Sequence, residues 1–158
     1  MELAFSPICL ENKEVFSTLL HAYYRNGEDR DTPEEEINAF IALLFSMVEE
    51  HQIFGSIAYQ KSMPVGFVLF TKDTADGAFS ELPGWGTILE IGVHPNFHRQ
   101  GFGTQLVAFA ENALSGMNVC GLYICAYPPA HAFWNACNYY DSGKIAANKL
   151  PIFYKQTS

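Results

Sequence analysis

The first fifty residues contain two stretches in which apolar side chains recur at helical spacing. The first stripe consists of Val15, Phe16, Leu19, Leu20 and Tyr23. The second and clearer stripe lies in residues 37–48 and repeats every three or four positions. These patterns predict two amphipathic helices. We expect Gly27 to end the first helix in a left-handed conformation and Thr32 to cap the second.

The pattern then changes to the short apolar runs that are typical of strands. Residues 54–60 and 65–71 predict a hairpin joined by residues 61–64, and residues 87–93 predict a further strand. Residues 119–126 are almost continuously apolar, as expected for a strand that is buried on both faces. A short, partly alternating segment before the first helix predicts an edge strand.

The remaining elements complete a mixed architecture. Residues 104–114 predict a third helix, Pro128 and Pro129 begin a short fourth helix, and residues 139–155 indicate two last strands. A strand–helix–strand unit implies a parallel pair of strands, whereas the hairpin is antiparallel. We therefore expect an α/β fold in one domain over residues 1–158. Its α+β mixed sheet should have about seven strands, with helices on both faces.

Charge and composition restrict the partners and the compartment. The 158 residues include 9 lysines and arginines and 17 acidic residues, for a formal charge of −8. This charge argues against a nucleic-acid duplex or an anionic membrane as partner; it suits a cationic ligand, or it only keeps the protein soluble. The N-terminus does not resemble a signal peptide, no apolar stretch is long enough to span a bilayer, and the four cysteines form no CxxC pair. We expect a cytoplasmic protein with reduced thiols.

Residues 93–104, with the sequence VHPNFHRQGFGT, carry the clearest chemical signal. A strand leads into a loop with two glycines, and a helix follows at once. Free N–H groups of a first helical turn bind anions, Gly101 and Gly103 allow positive φ and close approach, and Arg99 adds a positive charge. A dinucleotide fingerprint needs a third glycine where Leu106 stands, and no Gly-Lys-Ser/Thr sequence is present. A plain tight turn that caps a helix stays open as an alternative.

The spacing Val93-x-Pro95-x5-Gly101-x-Gly103-Thr104 resembles motif A of the GCN5-related N-acetyltransferases (GNAT), and the order of elements is similar over nearly the whole chain. The resemblance implies a sheet that is splayed between its fourth and fifth strands, with the pantetheine arm of acetyl-CoA in the gap. It implies that backbone groups of Ile91, Gly92 and Val93 pair with the pantetheine and polarise the thioester carbonyl. It also implies that the pyrophosphate is held by the amides of His98, Arg99, Gln100, Gly101, Phe102, Gly103 and Thr104.

The segment Ala130-x-x-Phe133-Trp134-x-x-x-Asn138-Tyr139 resembles a second motif of the same family, in which Phe133 is expected to contact the cofactor. Trp134 stands where the family often has a tyrosine that protonates the departing thiolate. An indole N–H donates hydrogen bonds but is not a practical acid. Trp134 is therefore expected to pack or to donate a hydrogen bond near the sulfur, or another group serves, or the thiolate leaves unaided.

Glu90 is the candidate base, because it lies in the strand that should line the acetyl site. An ammonium acceptor must lose a proton before it attacks, and a carboxylate acting through water could take that proton. The alternatives are a solvated strand end or an ion pair with Arg99. The weaker acid candidates are Tyr123, Tyr139 and Tyr140. No metal site is expected, since His94 and His98 lie in a loop that Pro95 interrupts.

Together these features predict an N-acetyltransferase that transfers acetyl from acetyl-CoA to a primary amine by direct attack in a ternary complex. The acceptor, a small-molecule or peptide amine, should meet the first two helices and the loops around Tyr23, Tyr24 and residues 73–86, because the cofactor fills the gap in the sheet. A homodimer is possible, as in many relatives. The alternative is a non-catalytic acyl-CoA sensor or scaffold of the same fold, which the tryptophan at position 134 favours.

Overall fold

In the part of the chain that the structure describes, seven strands and four α-helices follow one another in the predicted order. The computed structural model describes residues 2–27, 29–77 and 80–156. Short 3-10 helices precede α1, α3 and α4. The helices are α1 (Lys13–Arg25), α2 (Glu34–Glu49), α3 (Phe102–Ser115) and α4 (His131–Ala136). The strands are β1 (Ala4–Pro7), β2 (Phe54–Gln60), β3 (Met63–Lys72), β4 (Gly86–Val93), β5 (Gly121–Cys125), β6 (Tyr140–Ile145) and β7 (Pro151–Gln156).

The strands form one mixed sheet in the order β1-β2-β3-β4-β5-β7-β6. β1 pairs antiparallel with β2 and lies at an edge, as predicted. β4 and β5 are parallel, and their register joins Gly86 with Leu122 and Thr87 with Tyr123, so this ladder is confined to the start of β4. β7 pairs antiparallel with β5 on one side and with β6 on the other.

Three predicted details of the connections are wrong. The β2–β3 connection consists of Lys61 and Ser62 alone, with φ values of 48° and 71°, and two positive φ angles are the signature of a type I′ hairpin turn. Gly27 is not left-handed, because α1 already ends at Arg25 and the Asn26 side chain donates a hydrogen bond to the Ala22 carbonyl at 2.8 Å.

The start of α2 also differs from the prediction. Pro33 occupies the N-cap position, and the helix begins with Glu34. The Thr32 hydroxyl does not cap it but donates to the Asp29 carbonyl at 2.7 Å. A threonine side chain forms such local hydrogen bonds readily, and here the bond within the turn replaces the cap.

The chain divides into two compact units, one of residues 1–69 and 90–106 and the other of residues 70–89 and 107–158. In the first unit, a side chain on Gly92 would point at Phe67 and at Tyr23 of α1, whereas one on Gly66 would point at Leu106 of α3. Phe67, which lies on the same side as Tyr23, is the neighbour of Gly66 on β3, and neighbouring residues of a strand face opposite sides. α1 and α3 therefore cover opposite faces of β3 and β4. Helices on both faces are thereby confirmed for this unit.

In the second unit, Asp73 fixes both ends of the loop that follows β3. Its N–H donates to the Trp85 carbonyl at 2.7 Å, and its carbonyl accepts from Gly84 at 2.8 Å. Its side chain is only 1% exposed, and Oδ2 accepts from the Leu82 N–H at 2.8 Å and from the Tyr123 hydroxyl at 2.7 Å. The predicted loop at 73–86 is therefore anchored to the sheet; its residues 78 and 79 lie outside the described residues.

Candidate active site

The turn after β4 is built from hydrogen bonds of its own. The His94 N–H donates to the Val65 carbonyl at 2.7 Å and extends the contact with β3 beyond Val93. A 3-10 turn over Pro95–Phe97 follows, and His94 Nδ1 accepts from the Asn96 N–H at 3.2 Å. The ring of His98 then reaches back, with Nε2 donating to the Val93 carbonyl at 2.8 Å. The loop thus has a defined shape before any ligand is considered.

Two left-handed residues turn the chain into α3. Arg99 has a φ of 63° and Gly101 a φ of 78°, and α3 begins at Phe102. The Phe102 ring is buried and lies 6.4 Å from the ring of Phe97, which anchors the start of the helix. Of the two glycines that allow a positive φ, Gly101 adopts one, whereas Gly103 is part of the helix.

The backbone N–H groups of this turn lack acceptors. Within the described ranges, no amide from Arg99 to Thr104 donates a hydrogen bond. Most of these residues are exposed, and a Cβ added to Gly101 would meet no atom within 4 Å. Amides without acceptors at the positive end of a 14-residue helix are the arrangement that favours anion binding in general; the expected pyrophosphate contacts of these six residues stay predictions. His98 differs from the expectation, because its amide donates to the Pro95 carbonyl at 3.4 Å.

Glu90 lies three residues before the end of β4 and is half-buried. Burial, which penalises the charged form, raises the pKa of its carboxyl from 4.5 to about 7. A hydrogen bond from Tyr23 lowers this pKa, and the charge of Asp29 raises it. A carboxyl group with a pKa near neutrality exchanges protons readily at the pH of a cell, as a general base must.

Tyr23 is the partner that the sequence did not reveal. Glu90 was considered as a partner of Arg99, but Tyr23 of α1 forms the hydrogen bond, and Arg99 is exposed in the loop. Tyr23 is expected both on the packing stripe of the first helix and in the region that meets the acceptor, but neither expectation pairs it with Glu90. Nothing in the sequence indicates a contact between residues 67 positions apart, so no signal identified this pair in advance.

The residues of the second motif lie in the other unit. Trp134 is 6% exposed, and its ring lies 5.0 Å from Phe133 and 5.4 Å from Tyr139, both edge to face. The indole therefore packs among aromatic rings of α4 and the residues after it. The catalytic role of Trp134 and the cofactor contact of Phe133 stay predictions.

Two of the tyrosines considered as acids use their hydroxyl groups inside the second unit. Tyr123 donates to Asp73, and Tyr139 donates to Glu111 Oε2 at 2.7 Å. Burial, together with these carboxylates, raises the pKa of each tyrosine above its usual range. Glu111 also forms an ion pair of 3.0 Å with Lys155. Tyr140 lies exposed on β6.

The family model for the acetyltransferase (GNAT) family matches residues 13–139, which is most of the chain. The chain belongs to the GNAT acetyltransferase family. No curated protein matches the sequence. The acetyltransferase assignment made from the glycine turn is thus confirmed, whereas the roles of individual residues are not tested by this match.

Solved GNAT structures share the fold at low sequence identity. The PaiA N-acetyltransferase of Thermoplasma acidophilum, in complex with coenzyme A, has a TM-score of 0.74 at 13% identity, over 99% of this chain and 100% of that chain. A putative GNAT acetyltransferase of Desulfovibrio desulfuricans has a TM-score of 0.76 at 14% identity, over 99% and 100%. A Brucella melitensis GNAT acetyltransferase in complex with acetyl-CoA has a TM-score of 0.68 at 10% identity, over 99% and 89%. These matches confirm the predicted fold.

The described residues contain no group of three or more histidine, cysteine, aspartate or glutamate side chains that is arranged to hold a metal ion. Among the described helices, none is both long enough and apolar enough to cross a membrane.

Proposed function

We propose that this GNAT protein transfers an acetyl group from acetyl-CoA to a primary amine by direct attack in a ternary complex. One observation carries the proposal. A carboxyl group with a pKa of about 7 and six amides without acceptors lie within the same fifteen residues, 90–104. A base for the amine and a cradle for a diphosphate are the two parts that this reaction requires of the protein.

The free amides from Arg99 to Thr104 would hold the pyrophosphate of acetyl-CoA, and the Arg99 side chain would add a charged contact. The fit rests on the open donors and on the clear space at Gly101, which admits a phosphate close to the backbone. Backbone groups of Ile91, Gly92 and Val93 and the side chain of Phe133 would complete the binding. His98 shapes this turn through its ring, and its amide contact with the pyrophosphate, which the family resemblance implies, stays a prediction.

Acetyl-CoA supplies a thioester that an uncharged amine attacks. Glu90 in its ionised form accepts the proton that an ammonium acceptor must lose, directly or through water. The nitrogen–carbon bond then forms as the carbon–sulfur bond breaks, and the electron pair leaves with the sulfur. The nitrogen loses its remaining surplus proton to solvent water, and the thiolate takes up a proton from water, which gives the amide and coenzyme A as the free thiol. Trp134 does not protonate this thiolate, because an indole N–H is not acidic enough.

The acceptor is proposed to be a small-molecule or peptide amine that carries a positive charge. The net charge of −8 and the acidic side chains Asp29 and Glu90 favour a cation over an anion. A nucleic acid or a membrane surface is not proposed as a partner. One domain over residues 1–158, a cytoplasmic location and a possible homodimer stay predictions.

The test is release of free thiol from acetyl-CoA with a panel of amines at pH 7.5. Glu90→Gln should lower kcat/KM by about 100- to 10,000-fold, the usual contribution of a general base. Glu49→Gln changes an exposed glutamate at the end of α2 and serves as the matched control. Thiol release that never exceeds hydrolysis, with any amine, would overturn the proposal.

A second candidate function is an acyl-CoA sensor without turnover. The observation that favours it is the buried Trp134, which packs where the family often has a catalytic tyrosine. This function predicts that coenzyme A raises the melting temperature while no amine is acetylated.

A further inference from the structure

Aromatic packing holds Tyr23 against β3. It lies in the last turn of α1, two residues before the end of the helix. Its ring packs edge to face against Tyr24 at 5.7 Å and against Phe67 of β3 at 5.8 Å. Phe16, seven residues earlier on the same face of α1, lies 5.7 Å from the same Phe67 ring. These contacts fix the placement of the Tyr23 ring over the face of the sheet.

Gly92 provides the space for that ring. A Cβ at Gly92 would lie 2.7 Å from Phe67 Cε1 and 2.9 Å from Tyr23 Cδ1, distances that real Cβ atoms do not show. The Tyr23 ring therefore lies against bare backbone. Glu90 precedes Gly92 by two residues, so both face the same side of β4. This places the Tyr23 hydroxyl where it donates to the Glu90 carboxylate.

The connection after α1 brings a second group toward Glu90. Arg25 Nη1 donates to the carbonyls of Arg30 at 2.8 Å and Thr32 at 2.7 Å, which ties this connection to the helix end. Thr32 donates through its hydroxyl and its N–H to the Asp29 carbonyl. Asp29, exposed on the connection, is thereby kept close enough for its charge to act on Glu90.

We propose that Tyr23 is the positioning residue of this site: its hydroxyl orients the Glu90 carboxylate and stabilises the ionised form that accepts the proton. The proposal rests on the proposed function, since it assigns a residue that acts through the base. Tyr23 need not touch the amine or the thioester. Its contribution is to keep one carboxylate oxygen engaged, which leaves the other oxygen for the acceptor or a water molecule.

Three influences on Glu90 oppose one another. Burial and the charge of Asp29 favour the neutral carboxyl, whereas the Tyr23 hydroxyl favours the carboxylate. Tyr23 from α1 and Asp29 from the α1–α2 connection are the groups that act on Glu90 here. Loss of the hydroxyl should raise the pKa of Glu90 further. Each unit of increase leaves tenfold less ionised base on the acidic side of the profile.

Tyr23→Phe removes the hydroxyl and keeps the ring. Tyr59→Phe is the matched control, because it removes the hydroxyl of a half-buried tyrosine on β2 that does not act on Glu90. The midpoint of Glu90 is measured by carbon-13 NMR of glutamate carboxyl groups, with Glu90→Gln identifying the resonance. Acetyl transfer is measured against pH on the same proteins. We expect both the NMR midpoint and the acidic limb of kcat to move to higher pH in Tyr23→Phe and to stay in place in Tyr59→Phe.

An exposed residue gives a second test that does not depend on folding of the tyrosine variant. Asp29→Asn removes a charge that disfavours the carboxylate, so the midpoint of Glu90 should move to lower pH. Asp31→Asn, two residues along the same connection and also exposed, should leave it unchanged. Opposite shifts from Tyr23→Phe and Asp29→Asn would identify both groups as the pair that tunes Glu90.

The outcomes separate the two proposals. An unchanged NMR midpoint in folded Tyr23→Phe overturns the role of Tyr23, whatever the activity. A shifted midpoint with an unshifted acidic limb also overturns it, because Tyr23 then does not act through a catalytic Glu90. Absence of turnover in the unaltered protein overturns the proposed function instead, while the NMR titration still reports whether Tyr23 stabilises the Glu90 carboxylate.

Discussion

Glu90→Gln should make the protein more stable, and the gain should grow with pH. The pKa of Glu90 is about 7 in the folded protein and 4.5 as the ordinary value. Between these two values the folded state holds a proton that the unfolded state has released. Unfolding therefore becomes easier as pH rises from 4.5 to 7, and the loss of stability persists above pH 7.

The pKa difference sets the magnitude. At 1.36 kcal/mol for each pKa unit, a rise from 4.5 to about 7 costs about 3 kcal/mol of stability once Glu90 is ionised. Glutamine avoids this cost and still accepts the hydrogen bond from Tyr23 through its amide oxygen. For a chain of 158 residues, a gain of this size raises the melting temperature by roughly 6–12 °C.

Urea unfolding at pH 5 and pH 8 measures the effect. The difference in the free energy of unfolding between Glu90→Gln and the unaltered protein should be about 2–3 kcal/mol larger at pH 8, since most of the ionisation cost arises between these two values. Glu49→Gln, which is exposed, should show no comparable change with pH. An equal difference at both pH values for Glu90→Gln would refute the raised pKa and, with it, the argument for Glu90 as a base near neutrality.

Two further variants test the anion site and the loop anchor. Gly101→Glu should abolish the rise in melting temperature that coenzyme A produces, because a negative side chain would face the free amides. Gly101→Ala is the control: it bears the same backbone strain at a φ of 78° but adds no charge, so it should keep most of the rise. Equal rises in both variants would contradict the placement of the diphosphate. Asp73→Ala should cost about 2 kcal/mol by calorimetry, because the buried Tyr123 hydroxyl and the Leu82 N–H lose their acceptor. Asp76→Ala, exposed in the same loop, should cost little.

The order of elements was predictable mainly because the buried helices and strands differ in their apolar period. Residues 37–48 repeat at helical spacing, whereas the run at 119–126 is apolar at nearly every position and is too short for a typical helix, which favours a strand. The glycine turn was predictable as a strand, a loop with two glycines and a helix in immediate succession, whereas its interpretation as part of an acetyltransferase depended on the resemblance to motif A. The family match confirms the assignment that followed from this turn.

The failures lie where local hydrogen bonds compete or where distant residues meet. Asn26 satisfies the end of α1 with its own side chain, so Gly27 is not required to turn left-handed. Thr32 bonds within its turn instead of capping α2. The Tyr23–Glu90 contact depends on how α1 packs over Gly92, and the pairing of two elements is set by three-dimensional packing that no local pattern encodes.

The place of β7 in the sheet has a consequence for synthesis of the protein. β7 lies between β5 and β6, although it is made after both. While the ribosome has not yet reached Pro151, β5 lacks its antiparallel neighbour and β6 has no strand to pair with. Nascent chains interrupted before that point would present two open strand edges, which are templates for association with other chains. Release of the complete chain, and chaperone protection until then, should therefore govern how much of this protein is recovered in folded form.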